Sequence, residues 1–173
     1  MESLVSRSLF WGAGSWNLTR IQEQKVRGVQ QHMWRKILRI RQKPNELNDF
    51  YHHRVAALSA RIRQKLNVPC WSDTYAKAIW TFAGHIARLG EYDPNRPTHQ
   101  VLLLQNRNFL KKTEIANRGS QLHGYRFRVW RWERHFYNYT EKGNLGDWMN
   151  IAQSRRAWTE HLELWLEWRK RHK

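Results

Sequence analysis

Hydrophobic positions recur with helical spacing along most of this chain. In residues 20–43, Val26, Val29, Met33, Ile37 and Ile40 form one apolar stripe, while Lys25, His32, Lys36, Arg39 and Lys43 fall on the opposite side of the wheel. Thr19 is placed to cap this helix, and no breaker other than Gly28 interrupts it before Pro44 and Asn45. A second helix is predicted from Asn48 or Asp49. Tyr51, Val55, Leu58, Ile62 and Leu66 make its apolar face, with Arg54, Arg61, Arg63 and Lys65 on the remainder. Asn67-Val68-Pro69 breaks the pattern, because the residue before a proline is pushed out of the helical region. A third helix follows from about Asp73 to Leu89 with Ala76, Ile79 or Trp80, Ala83 and Ile86 inward, and Gly90 stands where a helix would terminate.

The flanks are less regular. Residues 4–19 begin apolar and are broken by Gly12 and Gly14, as in a short strand or helix end followed by a turn. Between 91 and 125 the pattern weakens, with Asp93-Pro94-Asn95-Arg96-Pro97 as a turn-rich connector. In 126–134 bases and aromatics alternate, which suits a strand, yet continuation to Tyr139 fits a short helix equally well. A final helix from about Asp147 to Lys170 places Ile151, Trp158, Leu162 and Trp165 on one face, flanked by Trp148 and Trp168. The expected fold class is mainly α.

Composition adds a partner to this picture. The chain has 173 residues, 31 Lys or Arg against 14 Asp or Glu, and a formal net charge of +17. Hydrophobic residues make up 40% of it, enough for a real core. The positive excess is distributed along the sequence, so the folded body itself is basic and suits an anionic partner. Residues 20–43 carry eight Lys or Arg and one acid, Glu23. Ordinary solvated helix faces mix signs, and like charges at this density repel unless an anion offsets them. Nucleic acid is therefore favoured over a plain solvated face. A membrane surface is disfavoured, since the basic faces have no adjoining apolar wedge in the sequence pattern.

Eleven tryptophans admit two readings, base stacking or packing. Trp130 and Trp132, set among Arg126, Arg128, Arg131 and Arg134, illustrate both. With Trp158 and Trp165 on the face of the last helix, packing is favoured. Cys70 is the only cysteine, which excludes an intrachain disulfide and a cysteine-built zinc site. An intracellular location, nucleus or cytoplasm, is expected, and no secreted form.

Catalytic patterns are missing. There is no G-x-S-x-G, no phosphate-cradling G-x-x-x-x-G-K-[ST] and no H-E-x-x-H, and Gly12-Ala13-Gly14 lacks the third glycine of a dinucleotide loop. The nine histidines, among them His52-His53, His85, His99, His123 and His135, show no ligand spacing. No catalytic residue, metal or cofactor is expected.

The order of several short motifs resembles one family. Ser8-Leu9-Phe10-Trp11-Gly12-Ala13-Gly14-Ser15-Trp16-Asn17-Leu18-Thr19 resembles the Y-G-x-E-x-W-x-L-T stretch that follows the palm in LINE-type (non-LTR) retrotransposon reverse transcriptases, with Gly14 standing where the family usually has Glu. Gln31-His32-Met33-Trp34-Arg35-Lys36-Ile37-Leu38-Arg39-Ile40 is similar to its R-x-L-R-x-I-L-x-I helix, and Trp80-Thr81-Phe82-Ala83-Gly84-His85-Ile86-Ala87-Arg88-Leu89 to its W-x-G-H-x-x-R-M motif. Residues 126–168 are similar, more loosely, to the tail of some such elements. The catalytic Tyr-x-Asp-Asp has no counterpart here, and Tyr92-Asp93-Pro94 does not replace it.

The resemblance implies a truncated thumb and post-polymerase region. Residues 1–19 would be a strand or turn from the polymerase edge, 20–90 a basic thumb-like helical bundle, 91–125 a connector and 126–173 an Arg/Trp-rich helical segment. It implies a grip on RNA template or RNA–DNA hybrid, with duplex DNA a lesser partner, and no polymerase activity in this chain alone. Candidate contacts are Lys25, Arg35, Lys36, Arg39 and Lys43, with His85 and Arg88 from the motif and Arg126, Arg128 and Arg131 from the Arg/Trp segment. His85 is equally readable as a structural tie between helices. The rival readings are an independent basic helical DNA- or RNA-binding protein and a nonfunctional relic of a mobile element.

Overall fold

The computed structural model describes residues 2–16, 18–104 and 131–172. Every regular element among them is helical: α1 (Glu2–Leu9), a 3-10 turn (Ala13–Ser15), α2 (Arg20–Ile37), α3 (Asn48–Lys65), α4 (Trp71–Tyr92), α5 (97–104), α6 (Arg131–Lys142), α7 (Trp148–Gln153) and α8 (Arg155–Arg171). The chain divides into two compact units, Met1–Ala76 and Lys77–Lys173, so α4 contributes to both. The apolar start of the chain thus takes the helical alternative in α1, followed by a turn with Gly12 in the left-handed region at φ 72°.

In the first unit, α2 begins as its sequence predicts. Thr19 Oγ1 accepts from the Gln22 amide at 3.1 Å, and Gln22 Oε1 accepts from the Thr19 amide at 2.7 Å, a reciprocal capping box. Its end is earlier than the expected Lys43. Arg39 turns left-handed at φ 49°, the Ile40 amide donates to Arg35 O at 3.1 Å, and the Arg39 amide donates to Lys36 O at 3.2 Å. This six-to-one closure stops the helix without a glycine. Arg39 and Lys43 are therefore on the following turn and not on the helical stripe. The same closure ends α3, where Asn67 adopts φ 52° and the Val68 amide donates to Arg63 O.

The buried face of α2 also differs from the apolar stripe. Its buried residues are Gln30, 2% exposed, and Trp34, whereas Val29 is 58% exposed. A polar side chain holds the inward position because both ends of its amide are satisfied. Gln30 Nε2 donates to Pro69 O at 3.1 Å, and Gln30 Oε1 accepts from the Trp71 amide at 2.9 Å. The glutamine thereby caps the start of α4 from a neighbouring helix. Gln30→Leu removes both bonds inside the core, and is expected to lower stability by about 1–3 kcal/mol in urea unfolding. An unchanged midpoint would show that this cap is dispensable.

α2 packs on α3, which turns Tyr51, Val55 and Ser59 inward and leaves Leu58 and Ile62 half-buried, while Leu66 is exposed. α1 and the 3-10 turn are tied to the first turns of α4. Tyr75 Oη donates to Trp16 O at 3.0 Å and accepts from the Leu18 amide at 2.9 Å, and Phe10 meets Trp71 edge-on.

The second unit is built around tryptophan. Trp80 and Trp158 stack at 3.8 Å between ring centroids, 12° from parallel. Each indole N–H donates to the other residue's carbonyl, both at 2.9 Å. Phe136, Trp148 and Trp165 close around them. Gly84, one turn beyond Trp80, makes the reciprocal pair sterically feasible, because a Cβ there would overlap the Trp158 indole. Gly90 does not terminate α4, which runs on to Tyr92; it instead admits the ring of His99.

The predicted helix from Asp147 to Lys170 is two helices. Ser154 is extended at ψ 109°, and its Oγ accepts from the Ala157 amide at 3.3 Å, capping α8. That local bond competes with the helical ladder and breaks it. Asp147 caps α7 in the same way through the Met149 amide. Packing is the fate of Trp148, Trp158 and Trp165, whereas Trp11 is 86% exposed. The side chains of Trp130 and Trp132 lie outside the described residues.

Candidate nucleic-acid interface

The basic surface of the first unit has two parts. On α2, Lys25, His32 and Lys36 are exposed on the side opposite Gln30 and Trp34, and Gly28 shares that side with open space around it. Arg35 is half-buried, with Nη2 3.0 Å from His32 Nδ1. On the turn that follows, Arg39, Arg41 and Lys43 are exposed. No carboxylate among the described residues pairs with Lys25, Lys36, Arg39, Arg41 or Lys43.

The turn is held by the side chains of Gln42, Glu46, Tyr51 and Arg54, so none of the exposed cationic side chains of Arg39, Arg41 and Lys43 is used to fasten it. Glu46 takes Arg54 with two oxygens, Nε to Oε1 at 2.7 Å and Nη2 to Oε2 at 2.7 Å. The Lys43 amide donates to Glu46 Oε2 at 2.9 Å, and Arg54 Nη2 also donates to Arg41 O at 2.9 Å. Tyr51 Oη donates to Ile40 O, and Gln42 Nε2 reaches both Glu46 O and Asn48 Oδ1. The one acid of the turn is thus committed to Arg54, and bidentate geometry fixes its position.

These contacts make the clamp sensitive to acid. The hydrogen bond from Arg54, then that from the Lys43 amide, lowers the Glu46 pKa from 4.5 to about 2. Because the folded pKa is depressed, the stabilisation is complete above the ordinary carboxylate value and is lost as pH falls from 4.5 towards about 2. Glu46→Gln is expected to flatten the pH dependence of stability across that window, read as thermal midpoints of both proteins at each pH. Parallel curves would show that Glu46 does not carry it.

The remaining candidates belong to the second unit or lie beyond description. His85 is exposed and makes no hydrogen bond among the described residues. Arg88 Nη1 donates to Ala152 O at 2.7 Å, and Gln153 Nε2 donates to Ala87 O at 3.2 Å. Arg88 therefore holds the end of α7 with at least one nitrogen. Arg126 and Arg128 lie outside the described residues, as does the side chain of Arg131, whose backbone opens α6.

Comparison with known protein families, curated proteins and solved structures finds no match to this chain.

Two features of the interface were not legible in the pattern. Arg41 lies off both helical stripes, and the Glu46–Arg54 clamp has a spacing that corresponds to no helical neighbour pair. Among the described residues no group of acidic, histidine or cysteine side chains is arranged to hold a metal, and no helix is long and apolar enough to cross a membrane.

Proposed function

We propose that this chain binds nucleic acid through α2 and the turn joining it to α3. The observation that carries this reading is the set of exposed cations Lys25, Lys36, Arg39, Arg41 and Lys43 without carboxylate partners, beside a turn whose only acid is consumed by Arg54. Uncompensated charge of this density is a liability in a free protein and an asset against phosphates, which release counterions when cations replace them. Arg35 adds a guanidinium at the side of the same helix.

The motif order of residues 8–90 supports the finer reading, a thumb-like, post-polymerase region of a non-LTR reverse transcriptase. On that reading the ligand is RNA template or RNA–DNA hybrid, and polymerase chemistry resides outside these residues. A labelled RNA titrated with the purified chain is expected to bind with an affinity that falls steeply as salt rises. Binding that ignores salt would exclude a phosphate grip.

A further inference from the structure

We propose that the turn between α2 and α3 holds single-stranded nucleic acid, with the face of Phe50 stacked on an unpaired base. This rests on the nucleic-acid reading above and names the form of the ligand.

Phe50 is 68% exposed on the first turn of α3, and Leu47, one turn before it, is also 68% exposed. Neither contributes to the core of the first unit. Burying an aromatic ring is strongly favourable, so a ring left this open on a clamped surface is available to a ligand. Phe50 is the third residue of α3, directly after the basic turn in the chain. Gln42 Nε2 reaches Asn48 Oδ1 at 3.1 Å, and Arg54, one turn after Phe50, grips both Glu46 and Arg41 O. Arg39, Arg41 and Lys43 therefore project from a backbone fastened to the same two turns of helix that carry Phe50.

Cations that follow a phosphate chain beside an aromatic face are what an unpaired strand requires. A duplex offers the phosphates but keeps its base faces stacked inside. A membrane is the less fitting occupant, because an interfacial helix inserts a continuous apolar face, and here Asn48 and Asp49 separate the two apolar side chains in sequence and are exposed.

The test compares the wild-type chain with Phe50→Ala, Phe50→Tyr and Lys43→Ala, each titrated with one RNA oligonucleotide as a single strand and as a duplex. Phe50→Ala is expected to weaken single-strand binding by about 5- to 150-fold, leaving duplex binding and the salt slope unchanged. Phe50→Tyr keeps a stacking face and retains the wild-type affinity. Lys43→Ala weakens both forms and lowers the single-strand salt slope by about 0.7. Phe50 is exposed, so its removal leaves the core in place. Equal affinity of Phe50→Ala and wild type for the single strand would overturn the stacking role while the phosphate grip stands. Equal weakening on both forms, or loss confined to binding of anionic phosphatidylserine vesicles, would overturn it too. A wild-type chain that binds neither form would overturn this inference together with the function on which it rests.

Discussion

Trp158→Ala is expected to destabilise the protein by about 3–5 kcal/mol, the largest effect of any single substitution considered. The indole is 3% exposed and stacks on Trp80 while touching Phe136 and Trp148. Its removal opens a cavity among rings that are themselves fixed, so little collapse can refill it. It also deletes the hydrogen bond from Trp158 Nε1 to Trp80 O. Gly84→Ala reaches the same pair from the other side. The added methyl overlaps an indole that its own hydrogen bond holds in place, and a loss of about 1–3 kcal/mol is expected. Helix propensity pulls the opposite way, since Ala favours a helix over Gly by about 1 kcal/mol. Gly28→Ala isolates that term, because nothing lies near Gly28, and it should stabilise. Urea unfolding of the three variants gives the comparison. If Gly84→Ala stabilised as Gly28→Ala does, the close Trp158 contact would be wrong.

Replacing Lys36, Arg39 and Lys43 together with Ala is expected to produce the largest functional loss. All three are exposed and bond to no carboxylate among the described residues, so the core is untouched and mutual repulsion is relieved. Stability should therefore be equal or greater, which separates lost binding from lost folding. Three phosphate contacts contribute a slope of about 2 in log affinity against log salt for a single strand. Between about 50 and 200 mM salt, the advantage of wild type over the variant should shrink roughly 20-fold. An advantage that holds constant with salt would mean that these side chains act through structure or not at all.

The helices could be located because their apolar periods and the Thr19–Gln22 cap are local signals. Their ends were harder. Arg39 and Asn67 stop α2 and α3 by left-handed closure, and only Asn67 carries a residue type that favours it. Ser154 breaks the last helix through a single side-chain bond that a polar residue makes or forgoes according to context. Gln30 occupies a core position because its partners, Pro69 and Trp71, arrive from about forty residues away. For the candidate interface, Lys25 and Lys36 follow from helical spacing. Arg41 and Phe50 do not, because their exposure is set by the Glu46–Arg54 clamp and by how the turn lies on α3.

A salt titration of wild-type binding tests most directly whether α2 and its turn hold phosphates. Filter binding to single-stranded RNA, RNA–DNA hybrid and duplex DNA gives one slope for each ligand. If Lys25, Arg35, Lys36, Arg39, Arg41 and Lys43 each neutralise a phosphate, log affinity for the single strand falls with log salt at a slope of about −4. The single strand should also bind more tightly than duplex DNA at every salt concentration. A slope near zero, or no binding to any of the three at low salt, would contradict the account.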